Sequence, residues 1–343
     1  MLEITCAGSP REIGLVHGTK AATQIHRGIK FYSQLFYESA KLQWPAVCEK
    51  ALQFASLIEQ KFPAFREEMQ AIAKGAGVTY ADILALNVRT EITFGLFNDG
   101  CTSLSWKTDK KSFLAQNWDW MEQQKENLIA LNILEDGKPR ISMMTEAGII
   151  GKIGLNSSGV GVCLNAIRVK GMDPNRVPVH LALRLVLQSE SAQEAVSKLE
   201  ALGVASSAHM LIADPSGGIG LECTTLGFSK LPMDDQGRIT HTNHLLADHG
   251  DRVVDTKFWE DSFPRIDRIN ELVSLRDKVV ATEEEVFGLF KDEDNYPFSI
   301  CRAQEGGSKG ATLFNIVMDL CAREAVVRVG RPVAVEETIV LTP

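Results

Sequence analysis

The sequence has no Cys-x-x-Cys pair, no basic run and no apolar stretch long enough to cross a bilayer. Each absence removes a class of function. Seven cysteines (Cys6, Cys48, Cys101, Cys163, Cys223, Cys301 and Cys321) are scattered over 343 residues. Their odd number and wide spacing argue against a disulfide scaffold or a zinc site. Reduced thiols in an intracellular protein are the expectation, most of them acting as small buried hydrophobes. A formal net charge of -8 without a basic patch makes nucleic acid and anionic membranes poor partners. The start, MLEITCAGSPREIG, lacks the basic-then-apolar pattern of a secretory signal. Repeats, low-complexity stretches and long linkers are also missing. What remains is a globular composition, 45% hydrophobic and 23% charged, with ample material for a core.

The chain changes character near Gly100. Before it the pattern is mostly helical: in GTKAATQIHRGIKFYSQLFYESAKLQ, Ile25, Ile29, Tyr32, Leu35 and Phe36 recur at helical spacing. Thr79 with Asp82 marks a further helix start. The expectation for this segment is an all-helical cover ending at the turn Asn98-Asp99-Gly100. After it, CTSLSW and SFLAQNW read as a strand pair. Hairpins are expected around Asp136-Gly137 and around Ser157-Ser158-Gly159. Two helices follow, PVHLALRLVLQ and SAQEAVSKLEAL, the second behind a Ser191/Glu194 capping box. Strands resume at SAHMLIADPSGGIGLECTT and RITHTNH. Helices cover TKFWEDSFPRIDRINELV and, from Thr282, EEEVFGLF, and GATLFNIVMDLCAREAVVRVG forms a last hairpin. This order predicts antiparallel sheets between helical layers.

Several motifs compete for the chemistry. HTNH (His241 to His244) has two histidines three apart, but on a strand they point to opposite faces, which disfavours a metal site. GGSKGA around Lys309 lacks the spacing and preceding strand of a phosphate loop. A cysteine–histidine pair using Cys101 with His241 or His244 stays open. In the remaining reading, Cys101, directly after Gly100, attacks its own preceding carbonyl. Water then releases a new N-terminal cysteine. Its α-amine, with an unperturbed pKa of about 7.7–8.0, is placed to move a proton near neutral pH. Such a residue carries nucleophile and base together. A carboxylate one hairpin away, Asp119, can hold the amine, and asparagine amides can serve the oxyanion.

The motifs DGCTS, QNWDW, TEAGIIGKIGLNSSGVGV, HTNH, DEDNYPFSICRA and GATLFNI occur here in order between residues 99 and 316. Through them the sequence resembles the acyl-coenzyme A:6-aminopenicillanic acid acyltransferase (isopenicillin N acyltransferase) family of N-terminal nucleophile hydrolases. The resemblance implies an α+β fold, the four-layer αββα sandwich. It also implies cleavage between Gly100 and Cys101 into a small chain, 1–100, and a large chain, 101–343, which stay together as a heterodimer within one compact domain. Cys101 would be the nucleophile and Asp119 the holder of the α-amine. Asn243 would be the oxyanion donor, and Asn165 and Ser308 would lie on the substrate side. Where the family has Ser-Arg-Gly, this chain has Ser308-Lys309-Gly310, so Lys309 would supply a point charge in place of a planar fork.

The activity so implied is acyl transfer between acyl-coenzyme A, or an amide side chain, and a β-lactam amine or water. No metal or resident cofactor is required, and acyl-coenzyme A enters as a co-substrate. An N-acyl amide hydrolase of the same fold and a processing-defective binding protein are the alternatives. The chain ends VLTP, without a peroxisomal address, so a cytosolic location is expected.

Overall fold

The computed structural model describes residues 1–93, 100–251, 253, 260–276 and 282–343. Asn98 and Asp99 of the expected turn, and the start of the helix expected over TKFWEDSFPRIDRINELV, lie outside the described residues. Strand β1 (Leu2–Gly8) leads into helices α1 (Pro10–Lys20), α2 (Ala22–Ala40), α3 (Trp44–Ala51), α4 (Ala55–Lys61), α5 (Pro63–Ala76), α6 (Tyr80–Asn87) and α7 (Arg89–Thr93). Next come β2 (Gly100–Lys107), β3 (Ser112–Trp120), β4 (Leu128–Glu135), β5 (Ile141–Glu146), β6 (Ile153–Asn156) and β7 (Gly161–Ala166). After α8 (Val179–Leu187) and α9 (Ala192–Leu202) the chain forms β8 (Ala208–Asp214), β9 (Gly217–Thr224), β10 (Gly227–Leu231) and β11 (Arg238–His241). It finishes with α10 (Ser262–Ser274), α11 (Glu283–Leu289), β12 (Ala311–Asp319), β13 (Glu324–Arg331) and β14 (Ala334–Leu341).

The strands form two sheets, ordered β1-β4-β5-β6-β7-β8-β9-β10 and β11-β2-β3-β12-β13-β14. They pack face to face, β2 and β3 against β7, β8 and β9. Helices α1, α8 and α9 cover the outer side of the first sheet, and α10 and α11 that of the second. The result is the expected αββα sandwich. Alternation along β2 and β3 divides their side chains between two cores. Leu104, Trp106, Phe113 and Ala115 pack with Ile266, Ile269, Val286 and Phe287 under the outer helices. Leu114 and Trp118 join the core between the sheets. No helix among the described residues is long and apolar enough to cross a membrane.

Three expectations are corrected. The segment before Gly100 is not all-helical: β1 buries Ile4 and Cys6 and pairs in parallel with β4, whereas the other paired strands among the described residues run antiparallel. Its partner lies more than a hundred residues on, beyond the reach of a local pattern. The capping box at α9 is one-sided: Ser191 Oγ accepts the Glu194 N–H at 3.1 Å, but the Glu194 carboxylate takes the Glu190 N–H instead. RITHTNH leaves the strand at His241, so Thr242, Asn243 and His244 form a loop.

Residues 1–93 are bound to the rest of the chain by buried polar contacts. Arg89 pairs with Glu146 at 2.6 Å, and Tyr32 and Lys152 bond the same carboxylate. Arg184 makes two bonds to Glu68, at 2.9 and 3.1 Å. Asn87 donates to the Gly148 carbonyl and accepts the Ile150 N–H. Glu91 takes the Val179 N–H and the Ser206 hydroxyl. Burial alone pushes the Glu146 carboxyl up, but Arg89 and Lys152 outweigh it and bring the pKa down to about 2.

Candidate active site

Strand register decides which groups meet. Gly100 pairs with Asp119 across the β2–β3 ladder, Cys101 with Trp118 and Thr102 with Asn117. Residues two apart share a face, so Cys101 and Ser103 look toward the first sheet, where Ser103 Oγ donates to Asn165 Oδ1 on β7 at 2.7 Å. Thr102 and Asp119 look the other way, toward α10. The carboxylate therefore lies beside the Gly100–Cys101 peptide, not on the face carrying the thiol. Trp118, opposite Cys101, is capped by Lys152 Nζ at 3.9 Å from its ring centre.

The polar groups converge on the nitrogen of Cys101. Its N–H donates to Asn243 Oδ1 at 2.9 Å. Asn243 is held from three sides: its own N–H donates to Ser262 Oγ at 2.7 Å, its Nδ2 donates to the Ala166 carbonyl at 3.1 Å, and its Oδ1 also accepts from Arg265 Nη2 at 2.8 Å. Arg265 Nη1 donates to the carbonyl of Cys101 at 2.7 Å and to Thr102 Oγ1 at 3.2 Å.

Asp119 is fully buried, accepts from Thr312 Oγ1 at 2.7 Å, and lies 3.3 Å from Arg302 Nε. Arg302 also pairs with Asp261, whose Oδ2 is 3.8 Å from Arg265 Nε. Two aspartates and two arginines thus alternate around the Gly100–Cys101 bond. Burial pushes the Asp119 carboxyl up, against the pull of Arg302, Arg265 and the Thr312 hydroxyl, and burial pushes Arg265 down, against Asp119 and Cys101. Gly100 fits here because it has no side chain: a Cβ would lie 2.8 Å from Asp119 Oδ2 and 2.9 Å from Arg302 Nε.

Of the residues proposed from sequence, Gly100, Cys101, Asp119 and Asn243 are brought together. Asn165 is adjacent, but its amide is committed to Ser103, to His209 Nδ1 at 2.9 Å and to the His241 carbonyl at 3.4 Å. Ser308 is buried, donates to the Gly310 carbonyl at 2.9 Å and meets Arg302 Nη1 at 3.4 Å. Lys309 is not brought into the cluster. Its side chain is exposed, and the cations beside Asp119 are Arg302 and Arg265. The segment around Lys309 runs into strand β12, not into a helix, as a phosphate loop would.

The histidines are engaged elsewhere. Both ring nitrogens of His241 are bonded, to the Thr242 carbonyl and to Glu222, each at 2.9 Å. His244 bonds Ser262 Oγ at 2.7 Å and stacks on Phe263. Among the described residues no group of three or more His, Cys, Asp or Glu side chains is placed to hold a metal ion.

Sequence reasoning missed Arg265, Arg302, Asp261 and Thr312. Arg302 stood inside the recognised stretch DEDNYPFSICRA without a role of its own. Arg265 did leave a signal. On α10 the buried positions are Ser262, Arg265, Ile266, Ile269 and Val273, so a charge occupies the apolar stripe of an amphipathic helix.

The family model described as acyl-coenzyme A:6-aminopenicillanic acid acyl-transferase matches residues 106–334. The acyl-coenzyme A:6-aminopenicillanic-acid-acyltransferase 40 kDa form of Emericella nidulans is 42% identical over 346 aligned positions, spanning 100% of this chain and 96% of that protein. Among solved structures, a variant of conjugated bile acid hydrolase from Clostridium perfringens matches at a TM-score of 0.50 with 14% identity, over 71% of this chain and 92% of that one, a likeness of fold. With the match extending over the full length, this chain belongs to the acyl-coenzyme A:6-aminopenicillanic acid acyltransferase family.

Proposed function

We propose that the chain cleaves itself between Gly100 and Cys101 and then works as an N-terminal cysteine acyltransferase with amidohydrolase activity. One observation carries this reading: the buried polar groups are built around the nitrogen of Cys101, through Asn243 and Arg265, while both ring nitrogens of His241 are committed to other partners. The precursor thiol gives its proton to the Cys101 nitrogen as its sulfur adds to the Gly100 carbonyl carbon. The C–N bond breaks and a thioester forms. Water then adds to the thioester, leaving a Gly100 carboxylate, a free thiol and a free α-amine. The Asp119–Arg302 pair beside Gly100 is placed to hold the amine and carboxylate ends so created. The buried contacts of Arg89, Glu68, Asn87 and Glu91 support retention of the 1–100 chain as a heterodimer with 101–343.

In turnover the α-amine accepts the thiol proton and the sulfur attacks the carbonyl of an acyl-coenzyme A or of an amide side chain. The proton passes to the leaving coenzyme A thiolate or amine, and the acyl group rests on Cys101. A β-lactam amine of the 6-aminopenicillanic acid or isopenicillin N type, or water, then attacks the acyl carbon. It returns its proton through the α-amine, and the thiol is restored. In this reading the second N–H of Asn243 Nδ2 donates to the oxyanion while its Oδ1 stays on the Cys101 nitrogen, and Asn165 and Ser308 lie toward the substrate side. Lys309, proposed as a positive charge for the site, is exposed and adjoins Ser308, which meets Arg302. No metal or resident cofactor takes part. A cytosolic location is part of the proposal.

The test is product analysis from an acyl-coenzyme A with and without 6-aminopenicillanic acid. Formation of the acylated β-lactam supports the transferase. Hydrolysis alone, unchanged by the acceptor, would establish the amidohydrolase alternative. A purified protein that stays one chain and shows no burst of coenzyme A would reduce the chain to a binding protein.

A further inference from the structure

Resting on the N-terminal cysteine reading, we propose that Arg265 is a positioning residue of the reaction: its two arms clamp the Cys101 carbonyl and Asn243 Oδ1, so that the amide oxygen of Asn243 meets the Cys101 nitrogen and a fixed cation stands behind it. Arg265 Nη2 and the Cys101 N–H both donate to that one oxygen, at 2.8 and 2.9 Å. The opposite rotation of the amide would set its NH2 against two further donors. The planar fork of arginine is what allows one side chain to reach both acceptors at once. Once the peptide is cleaved, an amine N–H directed at Asn243 Oδ1 turns the nitrogen lone pair away from the amide. It is then free to receive the thiol proton.

The charge matters as much as the geometry. The charged and titratable groups linked to Arg265 and Cys101 are Asp119 on β3, Arg302 before β12, Asp261 ahead of α10, His244 in the loop after β11 and Cys163 on β7. His244 is held to about 4 by burial and by His241 and Arg265, and is neutral near pH 7. Cys163 is pushed well above its usual range by burial and by Cys101. Two aspartates and two arginines balance. Removing Arg265 alone leaves an uncompensated negative charge, which favours the ammonium form and silences the base. The path from Nη2 through Oδ1 to the nitrogen is two hydrogen bonds long. At an effective dielectric near 20 the lost cation corresponds to roughly one to two pH units.

The experiment compares the pH dependence of kcat/KM for coenzyme A release from hexanoyl-coenzyme A in wild type, Arg265→Gln and Arg265→Lys, using the full, self-cleaved chain. In Arg265→Gln the acid limb should rise by about one to two pH units. In Arg265→Lys, which keeps the charge and loses the fork, the limb should stay while kcat falls about tenfold. An acid limb unmoved in Arg265→Gln, whatever the loss of rate, overturns the inference. If the glutamine variant fails to fold, the lysine variant decides, since a wild-type kcat there refutes the clamp. Failure of the underlying reading looks different: wild-type protein that is still uncleaved would then turn over as fast as the cleaved form.

Discussion

Gly100→Ala tests the proposed cleavage most directly, because the structure gives the collision it causes. The new Cβ would sit 2.8 Å from Asp119 Oδ2, 2.9 Å from Arg302 Nε and 3.2 Å from Arg302 Cζ, all inside ordinary contact. Neither neighbour is a loose side-chain end. Asp119 is held by Thr312 at 2.7 Å, and Arg302 is held by Asp261. Overpacking of this kind costs about 1–3 kcal/mol. If the cost is borne in the step that breaks the Gly100–Cys101 bond, cleavage slows about 5- to 150-fold. The assay is the appearance of the 101–343 fragment over time, followed by intact mass with Cys101→Ala as the uncleavable baseline. A large chain that begins at Cys101, co-expressed with residues 1–100 carrying the same alanine, should recover turnover, since it needs no cleavage. Cleavage of Gly100→Ala at the wild-type rate would refute the argument that the absence of a Cβ keeps Asp119 and Arg302 against the bond.

Asp119→Asn should impair turnover strongly in purified, cleaved protein, and Asn243→Ala should cost on the order of 10²–10³ in kcat; a wild-type rate in either removes that residue from the mechanism. Lys309→Arg should be tolerated, whereas Lys309→Ala should weaken use of acyl-coenzyme A in a salt-dependent way; no change at low salt leaves Lys309 as a plain surface charge. Glu146→Gln strips the carboxylate from buried Arg89 and Lys152 and should destabilise by about 3–5 kcal/mol, read in urea melts. Acid should act on the same group. Its folded pKa of about 2 lies below the unfolded 4.5, so the stability is present above pH 4.5 and is lost as pH falls toward 2. That loss amounts to about 3 kcal/mol, and the unfolding free energy of Glu146→Gln should be flatter over this window.

Much of this protein was legible in the sequence because the information was local. Alternation in CTSLSW and SFLAQNW specifies a β-hairpin whatever lies around it. The capping box of Thr79 with Asp82 forms as its spacing requires. Gly100 next to Cys101 named the bond to watch, and the ordered motifs named the family. Short-range physics could not supply the partners. β1 needed β4, and the face on which Asp119 points followed from the register of Gly100 with Asp119. Lys309 carried the charge that the motif suggested, yet folding turns it to solvent and puts Arg302 and Arg265 at Asp119 in its place. Arg265 reaches Cys101 across 164 positions and Arg302 reaches Asp119 across 183. A helix pattern can show that a charge sits on a buried stripe. Only the packing of α10 against β2 decides what that charge holds, because a hydrogen bond depends on where two groups lie in space and not on their separation along the chain.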